Sequence, residues 1–284
     1  MLMAVTTTDK SDDTERHRVV VMLVVVFATG VIDAACLLHL GVFTAYITGS
    51  LILFGAHLTG VPGSPLPNAC AVLSFMIGAF AGARVLRRDP VGRSELVVPL
   101  GLEAVLVLVA AVVAGTMGID IDPKSYTLVG TYLTIAILAL AMGVQLAAMR
   151  HANVPDLVFA AATVAMFNLV ADSPLAAGTP TRTGRRVALI GMLLGGAVLG
   201  AGLARWQPWL AWAAAALVLA GPYAPVMVGV VIFGGLVLPA ILEGLSLRGL
   251  ALHSRWVPAL VLVGGLLIRF VIVYAGQDVS FVKG

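Results

Sequence analysis

The chain has 284 residues, of which 60% are hydrophobic and 11% charged, with a formal net charge of +3. A water-facing domain carries about a quarter charged residues, so this composition excludes an ordinary soluble fold. The small positive balance makes no case for a nucleic-acid partner. It reports orientation in a bilayer instead.

Apolar runs of about 17–25 residues recur, the length an α-helix needs to cross a ~30 Å hydrocarbon layer. They are unbroken Val, Leu, Ala and Gly rather than the short alternating segments of a β-barrel. The expected fold is all-α, a polytopic transmembrane helical bundle of about 8–10 hydrophobic segments in contact with the lipid bilayer.

Residues 1–18 are polar and too acidic for the leader of a signal peptide, so a disordered tail is expected there, followed by an uncleaved anchor. The segments fall near 19–38, 42–60, 68–86, 96–115, 126–148, 154–171, 187–204, 207–221, 224–245 and 256–275. Pro62-Gly63-Ser64-Pro65, Asp89-Pro90 and Asp120-Ile121-Asp122-Pro123 supply turn chemistry between them. Asp33 stands about 15 residues into the first helix, roughly 22 Å from its start. A carboxylate at that depth faces a cavity or a partner. It is expected either to work in coupling beside Thr48-Gly49-Ser50 or to fix the turn after the helix. Segment 42–60 carries Thr44, Thr48, Gly49, Ser50 and His57, and segment 154–171 carries Asp156, Thr163, Asn168 and, just beyond, Asp172. Both are too polar for lipid-facing spans and are expected to line something. Glu103 lies near the middle of its segment, and Gln145 near the end of the next, before Arg150 and His151.

Orientation follows from Lys and Arg. If every segment to 204 crosses, the two faces receive nearly equal numbers. If 42–60 and 154–171 enter and leave by one face, Lys10, Arg16, Arg18, Arg84, Arg87, Arg88, Arg93, Arg150, Arg182, Arg185 and Arg186 share the inner side, against Lys124 and Arg205 outside. That arrangement obeys the positive-inside bias and places the N-terminus in the cytoplasm. Residues 28–35 and 141–148 agree at five of eight positions. Each stretch leads into one of the proposed re-entrant segments, so pseudo-repeats of opposite orientation are expected at about 19–95 and 126–205. Inverted repeats of this kind build many secondary transporters.

Gly30-Val31-Ile32-Asp33, Leu40-Gly41-Val42-Phe43, Tyr46-Ile47-Thr48-Gly49-Ser50 and Ala141-Met142-Gly143-Val144-Gln145 resemble the YoaK-like family (domain of unknown function 1275) over about 18–221. The resemblance implies a bacterial inner-membrane protein without an established activity. The family's Thr-Gly-Asn motif reads Thr48-Gly49-Ser50 in the first half and Thr163-Val164-Ala165 in the second. Within a C-terminal unit at 222–284, residues 225–277, through Phe233–Glu243 and Leu262–Gln277, resemble the closing helix pair of the NrfD polysulfide-reductase membrane subunits, with a short tail after it. That implies a quinone site and redox-complex partners. Glu243 and Arg269 are the polar candidates there, offset by roughly 13 Å along antiparallel helices.

No nucleophile elbow, phosphate loop, dinucleotide fingerprint or metal-ligand spacing occurs, so neither enzymatic activity nor a metal or other cofactor is expected. The favoured reading is a permease-like transporter of a small solute or ion, with Asp33, Thr48, Gly49, Ser50, Glu103, Gln145 and Thr163 along its path. The alternatives are a quinol-interacting subunit, the only reading with a cofactor, and a structural membrane protein.

Overall fold

The computed structural model describes residues 3–88, 97–117, 128–152, 154, 156–157 and 162–221. Among these residues are eight α-helices and no strand: α1 (Met3–Leu40), α2 (Ile47–Leu58), α3 (Pro65–Arg88), α4 (Val97–Met117), α5 (Leu128–Ala152), α6 (Ala162–Ala171), α7 (Thr183–Ala204) and α8 (Pro208–Ala220). Five contain apolar spans long enough to cross a bilayer, at Arg18–Leu40, Pro65–Arg87, Val98–Met117, Val129–Ala152 and Thr183–Ala204. The chain is a multi-pass helical membrane protein. The 12 residues of α2 and 10 of α6 rise only about 18 and 15 Å, well short of the hydrocarbon layer.

The polar N-terminal stretch differs from expectation, because α1 is helical from Met3. Glu15 forms an ion pair with Arg185 at the start of α7, which ties this extension to the bundle.

Two tight pairs make the core, α1 with α7 and α3 with α5. Glycine lets their backbones touch. A methyl group added at Gly196 would strike the Phe27 carbonyl, and one at Gly200 the Val31 carbonyl. At Gly30 it would strike Leu193. In the second pair Gly78 lies on Leu140, Gly82 on Val144 and Gly143 on Phe75. Small residues at such crossings are how membrane helices gain van der Waals contact when lipid offers no hydrophobic drive. Contact numbers rise together in both pairs, so each is parallel.

The remaining directions follow from side chains. Arg186, in the first turn of α7, reaches Asp156 just beyond α5, so α5 ends where α7 begins and the two run oppositely. The start of α8 meets Cys36 near the end of α1 and, through Trp209, Gly115 near the end of α4. Thus α1, α4 and α7 run one way, and α3 and α5 the other. The stretches holding α2 and α6 therefore return to the face they left. Of the ten hydrophobic segments expected, the last two, 224–245 and 256–275, lie outside the described residues.

Candidate functional site

Asp33 is buried near the end of α1, and its carboxylate organises the loop into α2. One oxygen accepts hydrogen bonds from the Thr44 amide (2.8 Å), the Thr44 hydroxyl (2.8 Å) and the Ala45 amide (2.9 Å). The other accepts the Tyr46 amide at 2.9 Å. Three successive backbone N–H groups just ahead of Ile47 thus converge on one side chain. Such donors need partners at membrane depth, and the carboxylate supplies them all.

Ser50 closes the same loop from the helix side. Its hydroxyl donates to the Phe43 carbonyl and accepts the Phe43 amide, both at 2.8 Å. Gly49 lies under the Phe43 ring, where a Cβ would come within 2.5 Å of a ring carbon. Thr48 is exposed. Asp33 therefore meets residues 44–46 rather than Thr48-Gly49-Ser50, and both features converge on the loop between them. Thr163, at the corresponding place in α6, is exposed and far along the chain from any of these contacts.

A second polar group sits where α1, α4 and α5 meet. Gln145 donates through its amide nitrogen to one Glu103 oxygen at 2.8 Å. Its amide oxygen lies 3.0 Å from the Thr29 hydroxyl, which also lies 2.9 Å from the Val25 carbonyl. One hydroxyl proton serves one of these acceptors at a time. Thr29, Glu103 and Gln145 are wholly inaccessible. Among the described residues the second Glu103 oxygen, which is buried, has no hydrogen-bond partner, and Glu103 has no ion-pair partner. Thr29 was not singled out from the sequence. Its only signal is that it stands one turn before Asp33 on α1.

The third cluster fastens α6. Arg186 is buried; its guanidinium lies 2.7 Å from an Asp172 carboxylate oxygen and 2.9 Å from the Asn168 carbonyl, with Asp156 at 3.5 Å. Thr181 also donates to Asp172, at 3.1 Å. Asp156 precedes α6 and Asp172 follows it, so one side chain holds both flanks of the short helix. The backbone bends sharply to achieve this, with φ of +64° at Asp156 and +50° at Arg182, a left-handed region that Asp tolerates better than most residues. The bond from Arg186, reinforced by Thr181, holds the Asp172 carboxyl below the ordinary carboxylate range. From the sequence Arg186 was read only as an inner-face charge. The acids flanking a weak apolar segment were the available hint.

The residues expected along one path fall into separate hydrogen-bonded groups, two of which are one turn apart on α1 at Thr29 and Asp33. Asp33 and Ser50 belong to one loop, Glu103 and Gln145 to the bundle centre, and Thr163 to neither. Glu243 and Arg269 lie outside the described residues. Among the described residues no group of three or more His, Cys, Asp or Glu could hold a metal ion. A family model described as protein of unknown function (DUF1275) matches residues 21–224. No curated protein and no solved structure matches the chain.

Proposed function

The chain belongs to the DUF1275 family of proteins of unknown function, and we propose that it is a permease-like carrier of a small solute or ion whose cycle moves a proton on and off Glu103. The observation that carries this reading is a carboxyl oxygen of Glu103 that is buried between three helices and has no partner among the described residues. A polar atom left without a partner in a lipid-embedded core is costly, and membrane proteins keep such groups mainly on substrate or proton routes. The adjoining Gln145 amide and Thr29 hydroxyl can swap hydrogen-bond roles as Glu103 gains or loses a proton, which gives the bundle centre two arrangements.

The packing supports a carrier of the inverted-repeat kind. The α1–α7 and α3–α5 contacts correspond when α1 is laid on α5 and α3 on α7. Gly30 against Leu193 matches Gly143 against Phe75, and Gly196 on Phe27 matches Gly78 on Leu140. The match continues with Gly200 on Val31 and Gly82 on Val144. We read the units as about 19–95 and 126–205, inverted with respect to each other, each enclosing one short helix. Their fastenings differ. α2 is pinned by backbone N–H groups on Asp33, whereas α6 is held by side-chain ion pairs at Arg186 that can part and re-form. We assign the moving gate to α6 on this ground. The inner face, with the N-terminus, is the cytoplasmic side of a bacterial inner membrane, as the charge asymmetry and the family resemblance favour.

The test is reconstitution into liposomes with a trapped pH-sensitive dye and a panel of small cations, amines and organic acids outside. At least one solute should drive a lumenal pH change in the wild type. Glu103→Gln, which keeps a hydrogen-bonding partner for Gln145 but cannot ionise, should abolish it. Flux in Glu103→Gln equal to the wild type, or no flux with any solute, overturns the reading.

A further inference from the structure

The inner end of α3 carries a feature that the carrier reading does not use. Phe80, Ala83, Arg84 and Arg87 line an open groove of about 300 Å³. Their spacing sets Phe80, Arg84 and Arg87 along one helix face, with Ala83 leaving the floor low. We propose that this groove is a binding site for the phosphate headgroup of an anionic phospholipid.

The argument rests on what these side chains touch and where they sit. The span containing them ends at Arg87, so the guanidiniums stand at headgroup level and Phe80, one to two turns deeper, at the level of the upper acyl chains. Phe80 is 67% exposed, which suits contact with lipid. Arg182, Arg185 and Arg186 at the same end are engaged: Arg185 with Glu15, Arg186 with Asp156 and Asp172, and Arg182 with Asp156 at 3.9 Å. Arg84 and Arg87 are exposed and form no ion pair among the described residues. Residues 65–88 contain no acid, and Asp89 follows them in the sequence. Two guanidiniums one turn apart, without an ion pair among the described residues, present N–H groups that match phosphate oxygens. A free phosphate ion would use only those groups, whereas a lipid also covers the exposed ring. Basic pockets on the cytoplasmic side of membrane proteins take anionic headgroups in this way.

The experiment uses the full chain in neutral detergent, titrated with phosphatidylglycerol or phosphatidylcholine and read by native mass spectrometry. Saturable retention of phosphatidylglycerol over phosphatidylcholine is expected. Arg84→Gln or Arg87→Gln should each weaken it about fivefold, and the pair together about thirtyfold. Arg84→Lys with Arg87→Lys should fall between, since charge remains and the guanidinium N–H groups are lost. Phe80→Ala should weaken the lipid as well, and inorganic phosphate should not displace it. Thermal melting in phosphatidylcholine micelles checks that each variant is folded. Equal retention of the two lipids, full retention in the folded double Gln variant, or displacement by inorganic phosphate overturns the proposal.

Discussion

Replacing Asp33 by Asn separates its structural task from any task in coupling. Asn offers one acceptor oxygen and one NH₂ group. The oxygen can keep the cluster of three donors from Thr44 and Ala45, because more bonds are made that way round. The NH₂ then faces the Tyr46 amide, donor against donor. That amide loses its bond to Asp33, and a buried donor left without an acceptor costs about 1–3 kcal/mol. The retained bonds also weaken, since bonds to an ionised acceptor are roughly twice as strong as neutral ones. A loss of about 2–4 kcal/mol is expected. Asp33→Ala removes the partner of three backbone amides and should lose at least about 3 kcal/mol. Unfolding by sodium dodecyl sulfate from lipid–detergent micelles measures the total, and amide hydrogen exchange locates it. In Asp33→Asn, Tyr46 should exchange about thirtyfold faster, the equivalent of ~2 kcal/mol, with Thr44 and Ala45 affected much less. If Asp33→Ala unfolds at the wild-type detergent concentration with residues 44–46 still protected, the loop-anchoring argument is wrong.

Substituting Gly196 by Val should force α1 and α7 apart, because even a methyl group meets the Phe27 carbonyl. A loss at the upper end of the usual 1–3 kcal/mol for overpacking, or more, is expected, read as early melting on size-exclusion chromatography. Gly191, with nothing near it, should accept Ala without that effect. The α6 fastening should depend on pH in one direction. Asp172 has its carboxyl held low in the folded state, so its contribution is complete above the ordinary carboxylate range and is lost only as pH falls through the lowered value. Protection factors of amides in 162–186, corrected for intrinsic exchange, should therefore be steady near neutrality and fall in strong acid. Asp172→Asn should lower them at neutral pH and flatten the acid limb. Single cysteines at Arg87 and Arg182 should react with an impermeant reagent from one side, and those at Ser64 and Gln207 from the other. Labelling of Arg87 and Ser64 from the same side would undo the helix directions.

How much was legible differs from residue to residue. Five spans could be read because transfer into lipid is a sum over each residue's own side chain, and runs such as 129–152 need no knowledge of their neighbours. The stretches holding α2 and α6 stood out for the same reason, since Thr, Ser, His and Asp make poor lipid-facing surface. The Gly-Val correspondence at 30–31 and 143–144 hinted at an internal repeat, but not at the α1–α7 and α3–α5 crossings where those glycines pack. Asp33 and Glu103 were conspicuous by cost alone. Their partners were not, because the Asp33 donors are backbone amides 11–13 residues on, and Gln145 lies 42 residues beyond Glu103. Arg186 looked like a surface charge until α7 brought it between Asp156 and Asp172.

By itself the sequence determined that lipid is the solvent, that the chain crosses it repeatedly as helices, and which charged residues lie at membrane depth. These are local quantities, additive along the chain. Only the tertiary structure decided that Asp33 ties a loop, that Glu103 keeps an oxygen without a partner among the described residues, and that one arginine clasps both ends of α6. Such facts depend on which helices become neighbours and at what depth their side chains meet, and hydropathy carries no information about either.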